Sequence, residues 1–571
     1  MKGFIELLEH QFKENSRRPA IIYQDQVFSY AEVEERAKAI GAFLQEKGLK
    51  TGDIVILYTP EKLSFLLIHL GIILCGGVSL PLNPGFTAEE MIYFLNDSGA
   101  CFVFASGQQA SIIDKIKNKC PGLRAVFDPS IALNQKFLRG VKKREAGKLG
   151  SWEDRKIGSW EDGKRRKDGG KKFRRLKASK PFLQKNSNAL YDVQHFEAFS
   201  ADSVHLKKPS VGPKGLIGPP CHGSFMLYSS GTTGQPKGVM HTHVNTGASL
   251  LALQKCWQFS PGDVLLNVLP LFHIHGLSFA AHLSLISGSS MIIEDRFHPL
   301  KTMEKIKDAT VFMGVPTYYY SFLNRPEFRE RAKEWKRTRL FTCGSAPIRS
   351  EVLGEIESII GRPLINRYGM TESHVITSLP LAGPYKHGSV GRPLEGIEIK
   401  IGKLGSWEAG KIGREEAGEV MVRGQNLFNH YWKKSEATRS AFDEDGFFRT
   451  GDLGYFDDDG YLFLVGRKND LVITSGFNVY PAVVERVINE FPGVKESAVI
   501  GIPDRVKGEK VTAVVVTEAV GKVDIDKLKK HCREKLVNYQ CPVSFEIVEE
   551  LPRNTMGKVL KRDLKEKFKA S

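Results

Sequence analysis

Residues 54–82 read IVILYTPEKLSFLLIHLGIILCGGVSLPL, and the fold turns on how this run is divided. Ile54–Tyr58 is a short β-branched and apolar run of the kind that forms a buried strand, and a helical stretch follows it from Glu61. Leu63–Leu82 is apolar enough to be tested as a membrane span. The Gly76-Gly77 pair and Pro81 instead break it into a buried helix of about three turns, a turn and a short strand. Strand, helix and strand in succession make a βαβ unit.

The same alternation recurs outward along the chain, as in Val311–Met313 followed by a helix through Tyr318–Leu323. It predicts an α/β fold class with largely parallel sheets. The last hundred residues behave differently. Strands over Glu496–Ile502, Lys510–Thr517 and Phe545–Glu549 mix with helices over Pro481–Glu490 and Ile525–Lys535, as in a small α+β domain. At 571 residues the chain is too long for one ordinary core, and the predicted division is 1–466 and 467–571, with the join near Gly466–Asp470.

Composition narrows the class. Apolar residues are 41% and charged residues 26% of the chain, as in ordinary globular proteins. The 8 cysteines are scattered, with no Cys-x-x-Cys pair and no metal-ligand spacing, which favours reduced thiols in a cytoplasm. Met1–Asn15 reads as an amphipathic helix carrying Glu6 and Glu9, not as a signal peptide. The net charge of +17 suggests nucleic acid until its distribution is seen. Residues 136–185 hold 19 Lys and Arg against 6 Asp and Glu, an excess of 13 that leaves only +4 elsewhere. This segment, part of an insertion at about 135–195, repeats a word: Gly147-Lys-Leu-Gly-Ser-Trp152-Glu, then Ile157-Gly-Ser-Trp160-Glu. The word returns as Gly402-Lys-Leu-Gly-Ser-Trp407-Glu, between strands read at Ile397–Ile401 and Val420–Arg423. A sequence so poor in apolar residues cannot offset its ordering entropy, so a solvated loop is expected; a basic patch for nucleic acid or anionic membrane is the competing reading. No nucleic-acid-binding module accompanies it.

Chemistry first shows in Tyr228-Ser-Ser-Gly-Thr-Thr-Gly-Gln-Pro-Lys237-Gly-Val. The strand-like run Ser224–Leu227 empties into a loop with Ser229, Ser230, Gly231, Thr232, Thr233 and Gly234, then Lys237. Glycines let backbone N–H groups approach phosphate oxygens, hydroxyls donate further hydrogen bonds, and the lysine adds positive charge. It is no Walker loop, because Pro236 precedes Lys237 and Gly238 follows it.

With this string the chain resembles the adenylate-forming family that includes acyl-CoA synthetases, adenylation domains and beetle luciferases. Five further strings occur in that family's order: Gly344-Ser-Ala-Pro347, Asn366-Arg-Tyr-Gly-Met-Thr-Glu372, Arg449-Thr-Gly-Asp452, Gly466-Arg467-Lys-Asn-Asp470 and Pro552-Arg-Asn-Thr-Met-Gly-Lys558. The resemblance implies a large N-terminal domain with a small β-barrel subdomain and a small mobile C-terminal domain. It implies ATP held by the hydroxyl loop, by Gly344, Ser345 and Ala346, and by Tyr368, Gly369, Met370 and Thr371. Asp452 and Arg467 would take the ribose, and Glu372 would hold Mg2+. Lys558, Thr371 and Glu372 would be catalytic, Asn469 the hinge, and Ser475, Gly476 and Phe477 the path of coenzyme A.

Around the acyl pocket the chain resembles malonyl-CoA synthetases. The segments are Leu269-Pro-Leu-Phe-His273-Ile-His275-Gly-Leu, Val311-Phe-Met-Gly-Val-Pro-Thr317, Arg367–Ser373 and Asp470–Pro481. It departs from them at Ser373-His374-Val, so a short-chain, branched or aromatic acid stays in view. His273, His275 and Arg296 are the expected acyl-pocket residues, with Arg296 pairing either a distal carboxylate or its neighbours Glu294 and Asp295. Of other classes, a carrier-loading adenylation enzyme is expected beside a carrier module, and none precedes Ser571. A luciferase-like oxidase would share every nucleotide motif. A non-catalytic binding protein would have lost Lys237, Glu372, Asp452 or Lys558, and all four are present.

Overall fold

The division of residues 54–82 holds. The structure, a computed structural model, describes residues 2–138, 223–229, 236–402, 411–412, 415–475, 477–518, 523–553 and 558–569. Ile54–Tyr58 and Val78–Pro81 are parallel neighbours, and the helix Lys62–Leu74 crosses between them. Every residue from Lys62 to Ile73 is buried, which is why the helix carries apolar residues all round. Each buried Leu or Ile contributes about 1.5–3 kcal/mol relative to exposure. A Cβ at Gly71 would lie 2.7 Å from the Ala37 carbonyl oxygen, so glycine is what lets this helix lie close against the helix Tyr30–Glu46. Gly76, at φ +84°, makes the turn into the next strand. No helix among the described residues is long and apolar enough to cross a membrane.

Among the described residues two large sheets dominate. In the seven-stranded sheet, Val78–Pro81, Ile54–Tyr58, Phe102–Ala105 and Ala125–Phe127 run parallel, and the hairpin Gly223–Ser229/Lys237–Thr242 extends it. In the nine-stranded sheet six parallel strands lie in the order Leu364–Met370, Leu340–Cys343, Val311–Gly314, Val264–Asn267, Ser290–Ile293 and Pro19–Tyr23. Parallel strands all end on one edge, and the segments leaving that edge are where α/β proteins place ligands. Here they carry His273 and His275 after Asn267, Arg296 after Ile293, Gly344–Ala346 after Cys343, and Thr371–Glu372 after Met370. A shared core joins residues of both sheets, with Leu57, Phe225, Leu265 and Ile365 among its members.

Ile397–Gly402 and Gly418–Gly424 pair antiparallel as read, and Phe448–Phe456 and Leu462–Arg467 complete a four-stranded antiparallel sheet where the resemblance implied a small barrel. Residues 403–410, which carry the third copy of the repeated word, and residues 139–222, which hold most of the basic insertion, lie outside the described residues. Near the C-terminus the strands Val494–Asp504, Gly508–Thr517 and Ser544–Val548 and the helices Pro481–Asn489 and Ile525–Lys535 match the reading to within a few residues. They enclose their own core around Val484, Val499, Val511, Val515 and Leu528.

Candidate active site

The phosphate-loop string is built as a hairpin. Ser229 ends one strand, Lys237 begins the next, and the two are cross-strand partners. Ser230, Gly231, Thr232, Thr233 and Gly234 lie outside the described residues. The Lys237 ammonium stands 5.1 Å from the centre of the Tyr431 ring. The Tyr431 hydroxyl in turn donates to Glu372 Oε1 at 3.1 Å. Glu372 is buried in the turn between Leu364–Met370 and His374–Ser378, not solvated on a helix. Burial raises its pKa, and hydrogen bonds from Ser229 and Tyr431 and the charge of Arg467 only partly offset this. A buried carboxylate that holds its proton too tightly is one that gains from a nearby cation. Among the described residues no three His, Cys, Asp or Glu side chains cluster as a metal cage. One buried carboxylate suits Mg2+, which takes one or two protein carboxylates and fills its shell with phosphate oxygens and water. Gly369 sits at a register shift in this hairpin, where a Cβ would lie 2.1 Å from the His374 carbonyl oxygen. Met370 and Thr371, both half-buried, follow it.

A second cluster joins residues far apart in the chain. The Tyr368 hydroxyl donates to Asp452 Oδ2 at 2.6 Å, and Arg467 Nε lies 3.0 Å from Asp452 Oδ1. The pairing of Phe448–Phe456 with Leu462–Arg467 sets Asp452 opposite Arg467. Lys558 comes into the field of this cluster. Its pKa is pushed down to about 8, by burial first and by Arg467, against the opposing pull of Asp452 and Asp470. Asn469 lies in the single turn Lys468–Asp470 that follows Arg467. Ser475, at φ +51°, and Phe477, exposed and stacked on Tyr539 with centroids 4.6 Å apart, lie just beyond; Gly476 is outside the described residues.

The acyl-side residues separate. Ser345, at φ +74°, lies between His275 and Arg367: its Oγ is 3.2 Å from His275 Nδ1 and accepts from Arg367 Nη2 at 3.2 Å. Ala346, next along the same turn, is half-buried. His273 and His275 are kept neutral by burial, His273 with its pKa pushed down to about 4. Arg296, by contrast, is exposed. Nor does it pair with its acidic neighbours. Glu294 is held by Lys305, while Asp295 accepts from the Tyr23 hydroxyl at 2.8 Å and the Lys62 backbone N–H at 3.2 Å.

Two residues of this region had no role in the sequence reading. Tyr431 lies on the two-residue strand His430–Tyr431, and its only signal was the aromatic crowding of Phe428, Tyr431 and Trp432. Arg367 stood inside a quoted string, but as a charged residue in a strand it gave no hint of burial.

The AMP-binding enzyme family matches residues 8–432, and the AMP-binding enzyme C-terminal domain matches residues 483–558. A probable CoA ligase of Humulus lupulus is 37% identical over 60% of this chain, which spans only 61% of that relative's length. A long-chain-fatty-acid–CoA ligase of Salmonella typhimurium is 30% identical over 99% of this chain and 94% of its own. A malonate–CoA ligase of Arabidopsis thaliana is 34% identical over 90% of this chain and 78% of its own. Among solved structures, ATP-bound MatB from Rhodopseudomonas palustris is similar at a TM-score of 0.78 and 33% identity, covering 100% of this chain and 99% of its own.

Proposed function

The chain belongs to the AMP-binding enzyme family and is an AMP-forming acid–CoA ligase, and we propose that it uses ATP to activate malonate or another short carboxylic acid. The observation that carries this reading is that Lys558 lies within the electrostatic reach of Arg467 and Asp452, the pair to which Tyr368 is hydrogen-bonded. A cation from the C-terminal segment thereby stands beside the residues assigned to the nucleotide.

The chemistry requires two steps. A carboxylate does not accept a thiol, because oxide is a hopeless leaving group. Attack of the carboxylate on the α-phosphate of ATP releases pyrophosphate and makes AMP the leaving group. This step gathers negative charge, which Lys558, Thr371, Lys237 and the hydroxyl loop would offset. Glu372 would hold magnesium, which would supply charge neutralisation on the phosphates. Asp452 and Arg467 would orient the ribose, with Tyr368 beside the adenine. In the second step the CoA thiol attacks the acyl carbon and AMP leaves. That requires Lys558 to withdraw, and Asn469 is the proposed pivot, with the pantetheine arm passing Ser475, Gly476 and Phe477. The similarity to the Arabidopsis malonate–CoA ligase supports a short diacid, and the similarity to the Salmonella enzyme keeps longer acids as the competing choice. A cytoplasmic location fits the free cysteines among the described residues.

Acid-dependent AMP release with CoA, over a panel of acetate, malonate, butyrate, benzoate and octanoate, tests the proposal. Malonate or another short acid should give the highest kcat/KM. A clear preference for octanoate or benzoate overturns the short-acid reading, and AMP release that ignores CoA overturns the choice of acceptor.

A further inference from the structure

Tyr228 opens the phosphate-loop string, and its hydroxyl donates to Asp97 Oδ2 at 2.5 Å. Its ring packs edge-on against Phe94, with centroids 4.7 Å apart. At the other end of the string the Pro236 carbonyl accepts from the Tyr93 hydroxyl at 2.7 Å. Tyr93 and Asp97 are four residues apart on the helix Ala88–Ser98, so they share one face of it. One helix face therefore ties both ends of the segment that carries Ser229 and Lys237. The two ties differ in strength, because the Tyr93 bond is neutral while the Tyr228 bond ends on a carboxylate. Burial, and then Asp97 itself, raise the Tyr228 pKa, so its hydroxyl stays a donor.

The same helix end reaches the Glu372 side. The last carbonyls of a helix have no donor within it. Here those of Asp97 and Ser98 each accept from Trp432 Nε1 at 3.2 Å, and the Asp97 carbonyl also accepts from Lys433 Nζ at 2.8 Å. A cation suits the negative end of the helix dipole. Trp432 directly follows the strand His430–Tyr431, and its backbone N–H donates to the Gly238 carbonyl, one residue past Lys237. That strand sets Tyr431 opposite Val239, and Tyr431 donates to Glu372. The helix is fixed at its start as well, where Thr87 and Glu90 cap each other reciprocally. Neither Tyr93 nor Asp97 falls in any of the motif strings.

We propose that Tyr93 and Asp97 are positioning residues of the adenylation step. Through Pro236 and Tyr228 they fix the base of the phosphate loop, and the helix end fixes that base relative to Tyr431 and Glu372. The proposal rests on the reading of Ser229–Lys237 as the phosphate loop, and the experiment separates the two.

Pyrophosphate exchange and thioester formation from pre-made acyl-adenylate are measured with whichever acid of the panel above reacts fastest. Lys237→Met, which removes the loop's cation, should cost most of the exchange. Wild-type exchange in that variant removes the phosphate-loop reading, and the proposal with it. Tyr93→Phe takes away one neutral bond and should slow exchange roughly two- to tenfold; Asp97→Ala, which strands the Tyr228 hydroxyl, should slow it roughly ten- to hundredfold. Asp97→Asn keeps an acceptor and should recover most of that loss. Thioester formation, which begins after pyrophosphate has gone, should lose far less in all three. Asp97→Ala should also lower the melting temperature, because a donor is left unpaired. Adding Tyr228→Phe removes that donor, so stability should return while exchange stays low, the tie being still absent. Exchange that recovers together with the melting temperature, or equal losses in both half-reactions, would show a purely structural role and overturn the proposal. Wild-type exchange in Tyr93→Phe and Asp97→Ala, with Lys237→Met inactive, would overturn it and leave the loop reading standing. Should Asp97→Ala fail to fold, the same comparison of half-reactions in Tyr93→Phe decides.

Discussion

Lys558 gives the sharpest quantitative test, because its depressed pKa puts its titration within reach of an ordinary assay. The first half-reaction needs the ammonium form, and kcat/KM reports ionisation of the free enzyme. With a pKa of about 8, set by burial and by Arg467 against the pull of Asp452 and Asp470, the protonated fraction falls as pH rises through that value. Between pH 8 and pH 9.5 it drops from about 0.5 to about 0.03, roughly a sixteenfold loss; an ordinary lysine near 10.4 would lose only about a tenth over that range. Acid-dependent pyrophosphate exchange, followed with saturating magnesium from pH 7 to pH 10, should show this alkaline limb. Thioester formation from pre-made acyl-adenylate should lack it. Asp470→Asn removes a group that raises the pKa, so its limb should move to lower pH. Lys558→Ala should abolish the limb along with most of the exchange. A flat profile to pH 9.5, or the same limb in both half-reactions, would refute the assignment of Lys558 as the adenylating cation.

Three further outcomes follow. Tyr431→Phe removes a donor from buried Glu372, so its proton should compete better with magnesium; the magnesium concentration for half-maximal rate should rise about tenfold, the usual cost of losing an outer partner of a metal ligand, and an unchanged requirement would separate Tyr431 from the metal. Gly476→Trp should block thioester formation while sparing pyrophosphate exchange, the reverse of Lys558→Ala, and equal loss of both half-reactions in folded variants would defeat the two-conformation scheme. Deleting residues 142–180 should leave turnover within a few-fold of the parent, since none of the site motifs falls in that basic, apolar-poor sequence; complete loss of activity in a soluble deletion would show otherwise.

Much of this architecture was legible because its signals are local. A uniformly apolar helix interrupted by Gly76-Gly77 can be read from residues 54–82 alone, and the α+β ending shows in the spacing of Val494–Asp504, Gly508–Thr517 and Ile525–Lys535. The nucleotide-side strings were legible because loops that cradle phosphates need glycine, hydroxyl and lysine at close spacing. What escaped depends on partners distant in sequence. Tyr431 belongs to a strand that exists only because Lys237–Thr242 offers it an edge. Arg367 is buried by His275, Phe279 and Ser345, none of which its neighbours foretell. Arg296 was read beside two acids as a candidate for the interior; Tyr23, Lys62 and Lys305 hold those acids from other elements, and the arginine is left outside.

The nine-stranded sheet also imposes an order in time. Pro19–Tyr23 lies parallel to Ser290–Ile293, and the Ser290 hydroxyl donates to the Pro19 carbonyl across a sequence separation of 271 residues. A ribosome adding about 5–20 residues per second needs roughly 15–50 s to make that stretch. For that interval the first strand has only its hairpin neighbour Gln26–Ser29, and the face of Phe4–Glu14 that packs beside Leu283–Ile286 lacks that neighbour. The seven-stranded sheet contains strands made early, Ile54–Tyr58, Val78–Pro81 and Phe102–Ala105, and these can pair while synthesis continues. The outer side of Pro19–Tyr23 therefore waits far longer for its parallel neighbour than these strands do, and it is open to chaperones and to aggregation meanwhile.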